Sequence, residues 1–352
     1  ELSNIYYNSI TEDYFDFAVV CNNIGNNLSI NEYDLESIKY YDKALELDPE
    51  MGVAICNKVE TLHSFDKWDE VIEICKENSL LNYFEKILNK DKLESEEEYS
   101  LKTTYTVVFV DYYRRSLWQV DSYDESLLYS EKLLVLIKKI KWPRKNKNDS
   151  DTLKNFERDC QIWRGMALRW LERYDEAIET FEIASKIDQD DSEAYKKLGL
   201  LFKKQNKYED SLEAYEKALA ITKEGTLLWK DRLVNKGIIL KKIAMKDGLD
   251  HASVTKLEEA EKIFDQVLES DENNFDAMME KGHCKLNAKM YESAYECYFK
   301  ASELNPDSQL PYSNLGDVCY EQDRYHEALV FLNKALTFDE NNIQVLLQIS
   351  TI

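Results

Sequence analysis

Two histidine-containing stretches invite metal chemistry and fall short of it. His326-Glu327-Ala328-Leu329-Val330 opens like the H-E-x-x-H zinc motif, but valine stands where the second histidine would face the metal. His283-Cys284, Cys297 and Cys319 are ligand types as well; Cys319 takes a position that the surrounding pattern gives to a core aromatic, so these read as packing thiols, not a zinc site. There is no phosphate-cradling glycine loop, no G-x-S-x-G elbow, and no pair of carboxylates set apart from the many others. No enzyme active site, metal or cofactor is expected. What remains is reversible hydrogen bonding and charge pairing. Asn23, Asn57, Asn235 and Asn314 recur at one position of a repeating pattern, and a carboxamide can both donate to C=O and accept from N–H. Arg169, Lys203-Lys204 and Lys241-Lys242 recur further along the same pattern, with Lys196-Lys197 upstream of them.

The pattern that places these residues has a period of 34. Gly165 and Gly199, Ala184 and Ala218, Gly282 and Gly316, Tyr291 and Tyr325, and Ala301 and Ala335 all keep that spacing. A fixed period of this size marks a stacked helical hairpin that buries its apolar face only against its neighbours. Small residues sit where two helices cross closely, aromatics fill the gap to the next hairpin, and Pro follows a helix end that it could not continue.

The residues in these slots resemble the tetratricopeptide-repeat (TPR) signature W-x2-L-G-x2-Y, then A-x3-F, then Pro. Residues 192–225 carry Tyr195, Leu198-Gly199, Phe202, Tyr208, Ser211, Tyr215 and Ala218. Residues 158–191, 275–308 and 309–342 match in the same register. Residues 18–51 make a further good unit, 52–78 a weaker one, and 107–140 one with Arg114 in the glycine slot. A stretched unit spans 230–274, with an insertion at 245–255 expected in the hairpin loop. Residues 79–106, with the acidic run Glu94–Glu98, and 141–157, with Pro143, read as connectors. Residues 343–352 read as the start of a further helix. The expected fold is a single all-α array, a right-handed α-solenoid of about eight hairpins.

The resemblance implies that the first helix of each hairpin lines a concave groove that holds an extended or helical peptide. Asn23, Asn57, Asn235 and Asn314 resemble the asparagine ladder of the TPR region of protein O-GlcNAc transferases, whose amides grip a peptide backbone. Tyr112, Trp163, Lys197 and Glu280 fill the same slot in the other units. The lysines and Arg169 align into a basic stripe able to hold carboxylates or phosphates, although cations at helix C-termini also complement the macrodipole. The dicarboxylate clamp of chaperone-binding TPR domains is incomplete in both possible frames. Asn26 and Asn57 match in the first, with Asn22, Val108 and Tyr112 in place of its other residues; Lys196 and Asn235 match in the second, where Asp276 and Glu280 replace the bases. Reversed charge would repel a C-terminal carboxylate.

Lys and Arg number 45 against 68 Asp and Glu, a net charge of −23. That balance argues against nucleic acid and anionic membranes and favours basic partners. Seven scattered cysteines without a C-x-x-C pair and no apolar run of membrane length suggest a reduced, cytoplasmic setting. The expectation is a protein-interaction scaffold that binds a partner peptide or helix in its groove. The alternatives are the targeting region of an enzyme whose catalytic domain lies outside this sequence, or a structural subunit of a large assembly. The opening Glu1 and the helix begun at 343 suggest a piece of a longer protein, and its oligomeric state stays open.

Overall fold

The structure, a computed structural model, describes residues 17–30, 34–89, 101–139, 147–247 and 251–352, and every regular element among them is helical. The chain divides into two compact units, Glu1–Gln189 and Asp190–Ile352. The first holds α1 (17–30), α2 (Asp34–Leu47), α3 (Gly52–Ser64), α4 (Trp68–Glu77), α5 (Ser79–Leu88), α6 (Leu101–Gln119), α7 (Tyr123–Lys139), α8 (Lys147–Trp170) and α9 (Tyr174–Ile187). The second holds α10 (Ser192–Lys204), α11 (Tyr208–Ile221), α12 (Leu227–Asp247), α13 (His251–Ser270), α14 (Phe275–Asn287), α15 (Tyr291–Leu304), α16 (Gln309–Glu321), α17 (Tyr325–Leu336) and α18 (Ile343–Thr351). Each unit is an all-α solenoid of stacked hairpins. No helix among the described residues is long and apolar enough to cross a membrane.

The hairpins close on a repeated turn. Asp66, Asp121, Glu172, Asn206, Lys289 and Asp323, each just past a first helix, have φ between 57° and 61°. The left-handed residue turns the chain so that the following N–H reaches back over the helix end. Lys207 N donates to Phe202 C=O (3.0 Å), Arg324 N to Cys319 C=O (2.8 Å) and Arg173 N to Leu168 C=O (2.9 Å), which satisfies carbonyls that the helix leaves open. Two residues after the turn residue, the first tyrosine of the second helix ties back to it: Tyr208 OH donates to Asn206 Oδ1 (2.8 Å) and Tyr325 OH to Asp323 Oδ1 (2.7 Å).

Between the two helices the core is a row of one small and one large side chain. Phe181, Tyr215 and Tyr298 are fully buried, each over the glycine sixteen residues before it. Neighbouring hairpins then share alanines such as Ala184, Ala218, Ala301 and Ala335, all at 0% exposure, which lets their backbones approach closely.

Three stretches differ from their sequence-based expectation. Residues 79–106, a connector by sequence, contain α5, capped by Asn78 accepting from Leu80 N (2.9 Å). Leu80, Phe84 and Ile87 lie on one face of it and are buried, a helical spacing that the neighbouring charge obscures. α8 begins at Lys147, inside the second expected connector. The insertion at 245–255 lengthens helices rather than a loop: α12 and α13 have 21 and 20 residues, against 13 and 14 in α10 and α11. The acidic run 94–98 and Pro143 lie outside the described residues.

Candidate functional site

In the first unit the expected groove residues are partly spent on one another. Asn23 and Asn26 are exposed on α1. Asn57 of α3 is half-buried, and its Nδ2 donates to Asn22 Oδ1 (3.1 Å), so the amides bond sideways between helices. The Arg169 guanidinium lies over the Trp170 ring, 5.6 Å from its centroid.

In the second unit the lysines meet carboxylates from their own or the next first helix. Lys196 pairs with Asp231 (3.0 Å) and Lys197 with Glu193 (3.2 Å). Arg232, only 1% exposed, bonds both carboxylates, Glu193 at 2.7 Å and Asp231 at 2.6 Å. Burial pushes Glu193 up, but Lys197, Lys196 and Arg232 outweigh it and hold the carboxyl below its ordinary value. The expected positive patch at Lys196 and Lys197 is therefore a neutralised network. Lys241 bonds Glu280. Lys203 is half-buried and makes no ion pair among the described residues; burial and then the Lys242 charge push its ammonium below the usual lysine range. Lys242 is half-buried and Lys204 exposed.

Asn235 of α12 and Asn314 of α16 are half-buried, with Glu280 in the same slot of α14 between them. Asn235 Nδ2 donates to Asp231 C=O (2.8 Å). Asn314 Nδ2 lies 3.2 Å from His283 Nε2, and His283 Nδ1 lies 3.5 Å from Glu280 Oε2. A polar chain thus runs Lys241–Glu280–His283–Asn314 across α12, α14 and α16. Burial would push Glu280 up, but the nearby His283 ring and the bonded, charged Lys241 prevail and hold it at about 2. One turn beyond Asn314, Asp317 is pushed up to about 6 by burial and by Glu321, although Gln348 Nε2 donates to it (2.5 Å). By sequence His283 stands out only as a metal-ligand type; its place three residues after the Glu280 slot is the signal for its inward position. Among the described residues no group of His, Cys, Asp or Glu is gathered as a metal site. Cys284, Cys297 and Cys319 are buried, and burial pushes the Cys284 thiol up to about 12.

Beside the polar chain lies a cavity of about 380 Å³ formed by α12, α14 and the start of α16. Val234, Ile238, Met279 and Leu310 form part of its apolar wall; its polar side has three carboxylates, Asp231, Asp276 and Glu280, with Lys230, Asn235, Asn274 and His283 beside them. Its walls come from consecutive first helices, which is how the 34-residue period places a concave surface.

Family models for the tetratricopeptide repeat match residues 159–224 and 18–51. The chain carries tetratricopeptide repeats. A model described as anaphase-promoting complex, cyclosome, subunit 3 matches residues 254–335. No curated protein matches the chain. Among solved structures, a thermophilic TPR protein of Thermus thermophilus is 20% identical, covers 55% of this chain and 97% of its own, and has a TM-score of 0.47. YrrB, a TPR protein with an unusual peptide-binding site, is 19% identical over 58% of this chain and 97% of its own, with a TM-score of 0.41. A chain of the APC/C hetero-tetramer Cut9–Hcn1 is 15% identical, over 93% of this chain and 54% of its own, with a TM-score of 0.47. TPR arrays are protein-interaction scaffolds that offer extended concave surfaces, and protein–protein interaction is the class of activity these repeats carry.

Proposed function

We propose that the second unit acts as a scaffold by holding a segment of a partner protein, extended or helical, along the inner face of its first helices. The observation that carries this is the cavity between α12, α14 and α16, whose apolar wall is flanked by the Asn235 amide, with the Asn314 amide bonded to its His283. The test is affinity purification of the full-length protein beside a Leu310→Trp variant, with the captured proteins quantified. Leu310 is 54% exposed, so the larger ring fills the groove without disturbing the core. Partners held in the groove are lost from the variant while its melting temperature is unchanged; retention of every partner rejects the reading. Replacing Asn235 and Asn314 with Ala should also weaken those partners.

The match of residues 254–335 to the anaphase-promoting complex subunit model favours a second reading, a structural subunit of a large assembly. In that case partners co-purify at a defined stoichiometry and survive Leu310→Trp, because outer faces and edges hold them.

A further inference from the structure

The cavity's donors and acceptors are unequally used. Its lysine and amide donors are spent within the chain. Lys230 Nζ lies 3.4 Å from both Asp271 Oδ2 and Ser270 C=O, and Asn235 Nδ2 bonds Asp231 C=O; His283 Nδ1 makes no hydrogen bond but lies 3.5 Å from Glu280 Oε2. Acceptors are left over. Asp276 is exposed at the mouth and bonds no described residue. Lys241 and His283 both turn to Glu280 Oε2, which leaves Oε1, and Asn235 Oδ1 accepts from no described residue.

We propose, resting on the reading that the groove holds a partner segment, that this cavity receives a Lys or Arg side chain of that segment. A cationic head carries donors and no acceptor, which matches what the cavity lacks. Its methylene stem lies along Val234, Ile238, Met279 and Leu310 while the head meets Asp276 and Glu280. A purely apolar side chain would strip water from those carboxylates and return no hydrogen bond. An acidic one would meet like charge. The net charge of −23 adds long-range attraction for a basic segment.

A random nonapeptide library displayed and selected on the full-length protein tests this. The selected pool carries Lys or Arg at one recurring position. In a fluorescent synthetic copy, Gln at that position weakens binding about tenfold, and Glu weakens it further, most at low salt. Asp276→Asn together with Glu280→Gln erases the difference between the Arg and Gln peptides. Asp276→Asn alone breaks no bond within the chain, so it narrows that difference while the protein stays folded. A pool blocked by Leu310→Trp but without basic enrichment overturns the cationic subsite and leaves the groove standing. Selected peptides that Leu310→Trp does not affect, or a library that yields no binder, overturn the groove reading and this proposal with it.

Discussion

Where the two helices of a hairpin cross, there is room for one large side chain and no more. A Cβ added at Gly199 would sit 2.7 Å from the Tyr215 ring, and one at Gly282 would sit 2.6 Å from Tyr298. In the α6–α7 hairpin the sizes are exchanged: Arg114 takes the glycine position and Ser130, sixteen residues on, takes the aromatic one, both at 0% exposure. Arg114 bonds Asp111, lies 3.7 Å from Cys160 Sγ and covers Trp163. Gly199→Ala should therefore cost about 1–3 kcal/mol by overpacking, read from denaturant melts. Arg114→Ala should cost about 3 kcal/mol or more, because it strips a partner from buried Asp111. Pairing Arg114→Gly with Ser130→Phe should recover a measurable part of the loss. Asp317 predicts a pH effect. Its carboxyl rises from 3.8 to about 6 on folding, so its contribution is full below 3.8 and is lost as pH climbs through 6. Asp317→Asn should raise the melting temperature at pH 7 and flatten its fall between pH 3.8 and 6.

At the scale of elements, the turn that joins each hairpin carries a left-handed residue that is never glycine in the six turns with positive φ named above. Lys289, at φ 58°, is exposed and has no short polar side chain suited to that conformation. Lys289→Gly should stabilise the protein by about 1 kcal/mol, read from thermal melts. Asn206→Gly should gain less, since Asn tolerates the conformation and Tyr208 would lose its acceptor. The spacing of the repeat put the turns in the right places, but with Asp, Glu, Asn or Lys at the key position no glycine announces them. The same limit hid α5 and the true form of the insertion. Leu80, Phe84 and Ile87 show a helical face only once α6 is there to cover it, and a count of inserted residues does not tell longer helices from a longer loop.

At the scale of the whole molecule, each hairpin in the second unit packs on its sequence neighbours. Damage should therefore spread locally and fade. Gly282→Val, which crowds Tyr298, should speed amide hydrogen exchange in α14 and α15, less in α13 and α16, and leave α10 unchanged. Uniform acceleration from α10 to α18 would mean that the unit unfolds as one cooperative block.

The sequence by itself determined the repeat, the hairpin and the inward set of positions, because a hairpin that can bury its apolar side only against its neighbours must repeat the same small and large residues at a fixed spacing. It also named both ends of one decisive pair, Lys241 and Glu280, and one end, Lys196, of the other. Lys196 and Lys241 read as a basic stripe, and Asp276 and Glu280 as misplaced charges in a clamp. Only the tertiary structure decided which of these cancel. Lys196 meets Asp231, 35 residues on, and Lys241 meets Glu280, 39 residues on, because stacking brings one helix's cation onto the next helix's carboxylate. Asp276 and one oxygen of Glu280 are left over, beside an apolar wall. Separations of that length are set by how the hairpins pack, and the period states that they pack without stating which side chains neutralise each other.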